Sequence, residues 1–209
     1  MKKGIFITLE GIEGVGKTTQ VDYVAEALRT RGHQVTLTRE PGGTSVGESI
    51  RNILLNSLDL DISEETELLL MFAARAQHIQ RVINPALARN ELVVCDRFTD
   101  ASFAYQGGGR GIADEKIELL KNWVQASLTP DLTLLLDAPV EVGMERADKR
   151  GELDRFESED FKFFQSIRNK YLELAARETD RIVVIDASAD LEEVQQQIEQ
   201  TLAARNYFS

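Results

Sequence analysis

At 209 residues, 43% of them hydrophobic, the chain is long enough to bury one sizeable core, and no Pro/Gly/Ser-rich linker divides it, so one domain spanning residues 1–209 is expected. A formal net charge of −11 argues against a nucleic-acid partner, which demands a basic surface, and a lone cysteine, Cys95, excludes a disulfide or cysteine-metal framework. No run approaches the ~18 apolar residues of a spanning helix, so no membrane partner is expected and a cytoplasmic location fits.

The first predicted element is a buried strand over residues 5–9. Although Met1-Lys2-Lys3 precedes it, Glu10 ends the apolar run too early for a signal peptide. Then come Gly11-Ile12-Glu13-Gly14-Val15-Gly16-Lys17-Thr18, which fit G-x-x-x-x-G-K-[ST], and a helical pattern over 19–28 that opens with Thr19. Strand, glycine loop and helix in that order make a phosphate cradle. The glycines let backbone N–H groups converge on phosphate oxygens, and the helix adds the positive end of its dipole. In this pattern Lys17 reaches the β and γ phosphates, and the Thr18 hydroxyl ligates Mg2+.

Further apolar runs at 35–38, 92–95, 132–136 and 182–185 read as strands buried on both faces, separated by helical patterns. This is the signature of an α/β chain with a five-stranded parallel sheet wrapped on both sides. Several runs lead into charge, at Glu10, Arg39-Glu40, Asp96-Arg97 and Asp186, and ligands of open parallel sheets sit at those carboxyl ends. Cys95 falls inside the third strand and reads as a small buried hydrophobe. Between the second and third runs lie more than fifty residues, helical over 46–55 and 65–88, too many for one crossover and therefore expected to bind substrate. Within them Leu68-Leu69-Leu70-Met71-Phe72-Ala73-Ala74 is apolar nearly all round its helix, so it is either deeply buried or covered by another subunit. After the fourth strand, a basic stretch including Arg146, Asp148, Lys149, Arg150, Gly151 and Arg155 reads as a mobile lid over about 146–158. A last helix over 191–204 packs back on the sheet.

Asp96-Arg97-Phe98 closes the third strand, and Ala104-Tyr105-Gln106-Gly107-Gly108-Gly109-Arg110 follows within ten residues. Arg39-Glu40-Pro41-Gly42-Gly43-Thr44 holds the equivalent place after the second strand. Together with the phosphate loop, these motifs resemble thymidylate kinases, which phosphorylate dTMP to dTDP, and the match runs over nearly the whole chain in order. The resemblance implies a P-loop NTPase fold of the nucleoside-monophosphate-kinase type with a lid, ATP with Mg2+ as donor, dTMP as acceptor, and a role in dTTP biosynthesis. It also implies a homodimer, in keeping with the apolar helix.

Read from the residues alone, Arg97 and Arg39 offer donor forks for phosphate, with ordinary ion pairs as the alternative. The resemblance assigns both to phosphate contact, with Pro41 and the rest of the 39–44 loop shaping the acceptor pocket. Phe72 and Arg75, three apart on one helix face, would by themselves be a core ring and a surface arginine. The resemblance assigns Phe72 to stacking on thymine, Arg75 to its O4, Tyr105 to the sugar where a 2'-hydroxyl is disfavoured, Gln106 to the base, and Ser102 to the acceptor site. It likewise places Glu13 on the sugar 3'-hydroxyl, while Glu10 is left either to support Mg2+ or to hold an arginine. Some relatives of this kind carry an arginine at the position of Gly14; with glycine here, the lid must supply that charge, through Arg150 with Arg146 as companion. Lys17, Arg97, Arg150 and Glu13 are therefore the expected catalytic residues. Two departures stand out: Asp148 where similar lids have arginine, and Ala101 where serine is usual. The loop Asp186-Ala187-Ser188 is the candidate adenine contact. Another nucleoside or nucleotide kinase of the same architecture, or a nucleotide-binding regulator, stays open. A GTPase is disfavoured because Asn169-Lys170-Tyr171-Leu172 fails N-K-x-D at its last position.

Overall fold

Each apolar run continues one residue further as strand than its hydrophobicity alone marks, so that the polar residue ending it still belongs to the ladder. In the computed structural model, which describes residues 4–56, 60–148, 155–156 and 159–208, the strands are β1 (Ile5–Glu10), β2 (Val35–Arg39), β3 (Leu92–Asp96), β4 (Leu132–Asp137) and β5 (Ile182–Asp186). They form one parallel sheet in the order β2-β3-β1-β4-β5. The register sets Arg39 beside Asp96, Asp96 beside Leu9, and Asp137 beside Asp186, which makes the carboxyl edge of the sheet a row of ionisable groups. The expectation of burial on both faces holds for β1, β3 and β4. It does not hold for β2 and β5: these are edge strands, and Leu37 and Val184 remain exposed because no neighbouring strand extends the cover over them.

Helix α1 (Lys17–Arg29) follows the phosphate loop and buries Val21, Val24 and Leu28. The insertion folds as α2 (Ser45–Asn56) and α3 (Glu64–His78), the latter capped by the Ser63 hydroxyl, which accepts from the Thr66 N–H. A π-helical turn, Ile79–Ile83, then joins α3 to α4 (Asn84–Ala88). The Asn84 N–H reaches back to Ile79 O, and Pro85, with no N–H to give, comes directly after. On α3, Leu68, Phe72 and Ala74 are buried while Leu69 and Ala73 stay exposed, so the apolar segment has one open face.

After β3 come α5 (Thr99–Ser102) and a second π-helical segment, Phe103–Gly109, which the sequence reading does not foresee. Its glycines allow it to lie directly on α8 (Phe161–Arg177): a Cβ on Gly109 would stand 2.6 Å from the Phe163 ring, and one on Gly108 2.8 Å from Lys170 Cβ. Helices α6 (Asp114–Gln125), α7 (Val140–Asp148) and α9 (Leu191–Ala204) complete the layers. The main core joins β1, β3, β4 and β5 to α1, α8 and α9. A smaller cluster of Phe6, Val93, Phe98, Ile79 and Ile83 fastens the insertion to the other face, with Phe6 and Phe98 edge to face at 4.9 Å. Cys95 is fully buried, as its setting implies, and burial pushes its thiol far above the ordinary range. Of the basic lid stretch, Arg146 belongs to α7, whereas Lys149, Arg150 and Gly151 lie outside the described residues.

Candidate functional site

A cavity of about 750 Å³ opens at the carboxyl edge of the sheet, between the phosphate loop and the inserted helices. It takes walls from Glu13, Gly14, Gly16, Lys17, Thr18, Thr19, Arg39, Pro41, Arg75, Arg97, Ser102, Tyr105, Gln106 and Arg146. Most residues singled out from sequence thus meet in one place. Gly11, Ile12 and Val15 shape the loop from beneath without lining the cavity. Phe72 does not line it either: it is buried beneath Arg75, whose guanidinium stands 4.6 Å from its ring centre, and Met71 and Arg75 are the α3 residues on the wall.

At the donor end, Gly11, Gly14 and Gly16 take φ of +140, +72 and +86, a region closed to most side chains. Helix α1 begins at Gly16 with no side-chain cap and no acid in its first turn, leaving its N–H groups and dipole turned to the cavity mouth. Lys17 Nζ donates to Ile12 O at 2.6 Å. Burial, reinforced by the Arg97 charge, lowers its pKa to about 8. Arg146 reaches from α7 to donate to Ala187 O (2.9 Å), tying that helix to the loop after β5.

Arg97 occupies the centre. Its backbone sits at φ +66, and its side chain is held by Gly11 O (2.8 Å), Glu13 Oε1 (2.8 Å) and the Tyr171 hydroxyl (3.2 Å), with the Tyr105 ring 4.7 Å away. The Tyr105 hydroxyl is also within hydrogen-bond distance of the Glu13 carboxylate, at 2.5 Å. Glu13 is therefore a paired carboxylate in the phosphate loop, compensated by an arginine and a phenol. Glu10, by contrast, makes no direct hydrogen bond to an arginine among the described residues and meets Arg97 only through the shared Tyr171 hydroxyl. It is fully buried, is not on the cavity wall, accepts from the Phe98 N–H (2.7 Å) and the Tyr171 hydroxyl (2.7 Å), and is driven up to about pKa 8 by burial and by Asp100.

At the far end, Arg39 pairs with Glu48 on α2 (2.9 Å) and is half exposed. Arg75 is buried between Glu40 (2.7 Å) and Phe98 O (3.1 Å), and the other Glu40 oxygen meets His78 Nδ1 at 2.8 Å. Ala101 and Ser102 line the wall between Arg97 and Tyr105. Arg155, expected on a mobile lid, is anchored: Nε donates to Leu54 O (2.8 Å) and Nη2 to the buried Glu67. Next to it, Phe156 is buried, closes the wall and meets Tyr105 edge on at 5.8 Å.

Sequence reasoning expected the inserted helices to bind substrate but singled out no residue of α2. Glu48, Arg51, Asn52, Leu55 and Asn56 all line the cavity, and Arg51 donates to Pro41 O (3.0 Å). Their helical spacing is a visible polar stripe on a helix whose other face buries Ile50 and Leu54, and that stripe was the available signal.

Comparison with known proteins agrees with this geometry. The family model described as "Thymidylate kinase" matches residues 9–198. The chain is 56% identical over 199 residues to the thymidylate kinase of Pseudomonas syringae pv. tomato, covering 95% of each, and 55% identical to that of Pseudomonas putida strain GB-1 over the same length. The crystal structure of thymidylate kinase from Ehrlichia chaffeensis superposes with a TM-score of 0.80 at 34% identity, covering 96% of this chain and 99% of that one. With a phosphate loop, an arginine-centred cavity and matches of this extent, the chain belongs to the thymidylate kinase family.

Proposed function

We propose that the chain transfers the γ-phosphoryl group of ATP to dTMP, giving dTDP for dTTP synthesis, within one cavity of a single domain. The observation that carries this reading is the meeting of the phosphate loop with Arg39, Arg51 and Arg97 in a cleft whose far wall holds a buried arginine, Arg75. The uncapped start of α1 and Lys17 bind the donor phosphates. Arg39, Arg51 and Arg97 receive the acceptor phosphate, and Arg97, fixed on three sides, has little reorganisation left to undergo in the transition state. The acceptor phosphate is largely dianionic near neutral pH, so no general base is required; positioning and charge compensation suffice. Glu13 and Tyr105 take the sugar, with Tyr105 crowding a 2'-hydroxyl. Arg75, supported from beneath by the Phe72 ring, and Gln106 take the base, and Ser102 completes the acceptor wall.

Thr18 and Asp96 are the residues suited to Mg2+. Asp96 lines the cavity and keeps a buried Oδ1 with no partner among the described residues. No cluster of three His, Cys, Asp or Glu occurs among the described residues, which suits an ion held mainly by substrate phosphates. When bound, Mg2+ neutralises charge on the β and γ phosphates. Catalytic charge near the γ-phosphate comes further from Arg146 and, in this reading, from Arg150 of the lid. The enzyme works in the cytoplasm as a homodimer.

The test is ADP release from MgATP by the purified protein with dTMP, dUMP, UMP, CMP, AMP, GMP or thymidine as acceptor. Marked preference for dTMP is expected. Preference for another acceptor would keep the phosphoryl transfer and discard the base assignment, whereas no turnover with any acceptor would discard both.

A further inference from the structure

Besides Asp96, two residues of the cavity wall keep a buried polar atom without a partner among the described residues: Arg75 Nη1, a donor, and Gln106 Oε1, an acceptor. Buried polar atoms are ordinarily paired, so an unpaired donor and an unpaired acceptor on one wall point to a ligand edge of the opposite pattern. Each is fixed by a buried carboxylate. Glu40 and Phe98 O hold Arg75 through Nε and Nη2, leaving Nη1 as its free donor. Glu67 holds Gln106: the amide Nε2 donates to Glu67 Oε1 at 2.9 Å. A carboxylate offers only acceptors, so the amide must turn its NH2 toward Glu67 and keep its oxygen for the other side. Glu67 is itself fully buried and fastened from two further segments. Arg155 donates to its Oε2, and the Arg110 guanidinium lies 3.4 Å from each of its oxygens.

We propose that Glu67 is a positioning residue for base selection, orienting the Gln106 amide so that Arg75 Nη1 and Gln106 Oε1 read the imide edge of a 4-oxopyrimidine. That edge carries a carbonyl acceptor beside an N–H donor, complementary to the wall. A 4-aminopyrimidine carries a donor beside an acceptor, and sets donor against donor and oxygen against lone pair. The inference rests on the assignment of this wall to the acceptor base, and it adds the group that enforces the pattern.

The experiment compares kcat/KM for dUMP and dCMP, which differ only at this edge, in the full-length protein and its variants. Wild type favours dUMP. In Glu67→Gln the new amide can donate to Gln106, the Gln106 amide is free to turn over, and the dUMP:dCMP ratio falls by about 10-fold or more. The dTMP:dUMP ratio stays constant, because the 5-methyl group lies on another edge. A uniform loss of activity with an unchanged dUMP:dCMP ratio would overturn the proposal and leave Glu67 a purely structural anchor. Gln106→Met, which removes the oriented amide without touching the ion cluster, guards against misfolding of the first variant. It should collapse the same ratio, and Glu67→Gln added to it should change the ratio no further. An unchanged ratio in Gln106→Met also overturns the proposal. Wild type without any preference for dUMP over dCMP would instead overturn the base-site assignment itself.

Discussion

Lys17 is the residue on which the proposed donor binding most directly turns, and its setting makes that binding depend on pH. Removal from solvent and the nearby Arg97 charge bring its pKa to about 8, so the ammonium loses its proton as pH rises through that value. Once donor phosphates lie beside it, their negative charge favours the protonated form and carries the titration upward. The pH profile of kcat/KM for ATP, which reports the free enzyme, should therefore fall above about pH 8 with the loss of one proton. The profile of kcat, which reports the ternary complex, should stay flat through the same range. A kcat/KM profile level well beyond pH 9 would show that Lys17 is not depressed in solution.

At the scale of elements, the phosphate loop and α7 are pressed together by two glycines. Gly14 lies so close to α7 that a Cβ there would be 1.9 Å from Gly143 O, and its φ of +72 disfavours side chains in any case. An arginine at this place has no room while α7 keeps its position. In the proposed mechanism, positive charge then comes from α7 and the basic stretch that follows it in the sequence. From the other side, a Cβ on Gly143 would stand 2.6 Å from Glu13 O. Gly143→Ala must push α7 off the loop, carrying Arg146 with it one turn on. A stability loss of about 1–3 kcal/mol is expected, as for overpacking generally, together with a raised KM for ATP and a smaller change for dTMP. Thermal unfolding and steady-state kinetics check this; an unaltered melting temperature and KM would mean that α7 slides freely against the loop.

The same scale shows what was legible beforehand. The strands were, because each apolar run is bounded by charge and the charge belongs to the ladder's end. The phosphate loop was, because its chemistry is local: its glycines and Lys17 lie within one octapeptide. The π-helical segment Phe103–Gly109 was not, since three successive glycines carry no helical signal until α8 is present to pack against them. Glu67 was not either. In the sequence it is one of three acids in the first turn of α3, where acids complement the helix dipole, and its partners are 39, 43 and 88 residues away. Arg155 misled for the same reason: a basic stretch between helices gives no sign that one of its members is anchored on an insertion a hundred residues earlier.

On the whole molecule, a net charge of −11 keeps most of the surface polar and makes exposed apolar groups conspicuous. Leu119 and Trp123, four residues apart on one face of α6, are 67% and 78% exposed, and Leu69 on α3 is 56% exposed. The two helices are neighbours, and Lys116 pairs with Glu65 between them (3.3 Å). Ion pairs of that exposure contribute little by themselves, so the bare tryptophan is the costlier feature for a monomer to carry. The proposed homodimer places this face against its own copy, where a two-fold arrangement would meet like with like. Light scattering should then give a mass near twice the 23.4 kDa of one chain, and Trp123→Glu, setting two carboxylates against each other across an apolar contact, should shift the population to single chains. A wild-type mass of one chain at micromolar concentration would remove the dimer. Because α3 carries Glu67, Met71 and Arg75 on its other side, a dimer on this face would also brace the wall that reads the acceptor base. Dissociation by Trp123→Glu should accordingly raise KM for dTMP more than KM for ATP.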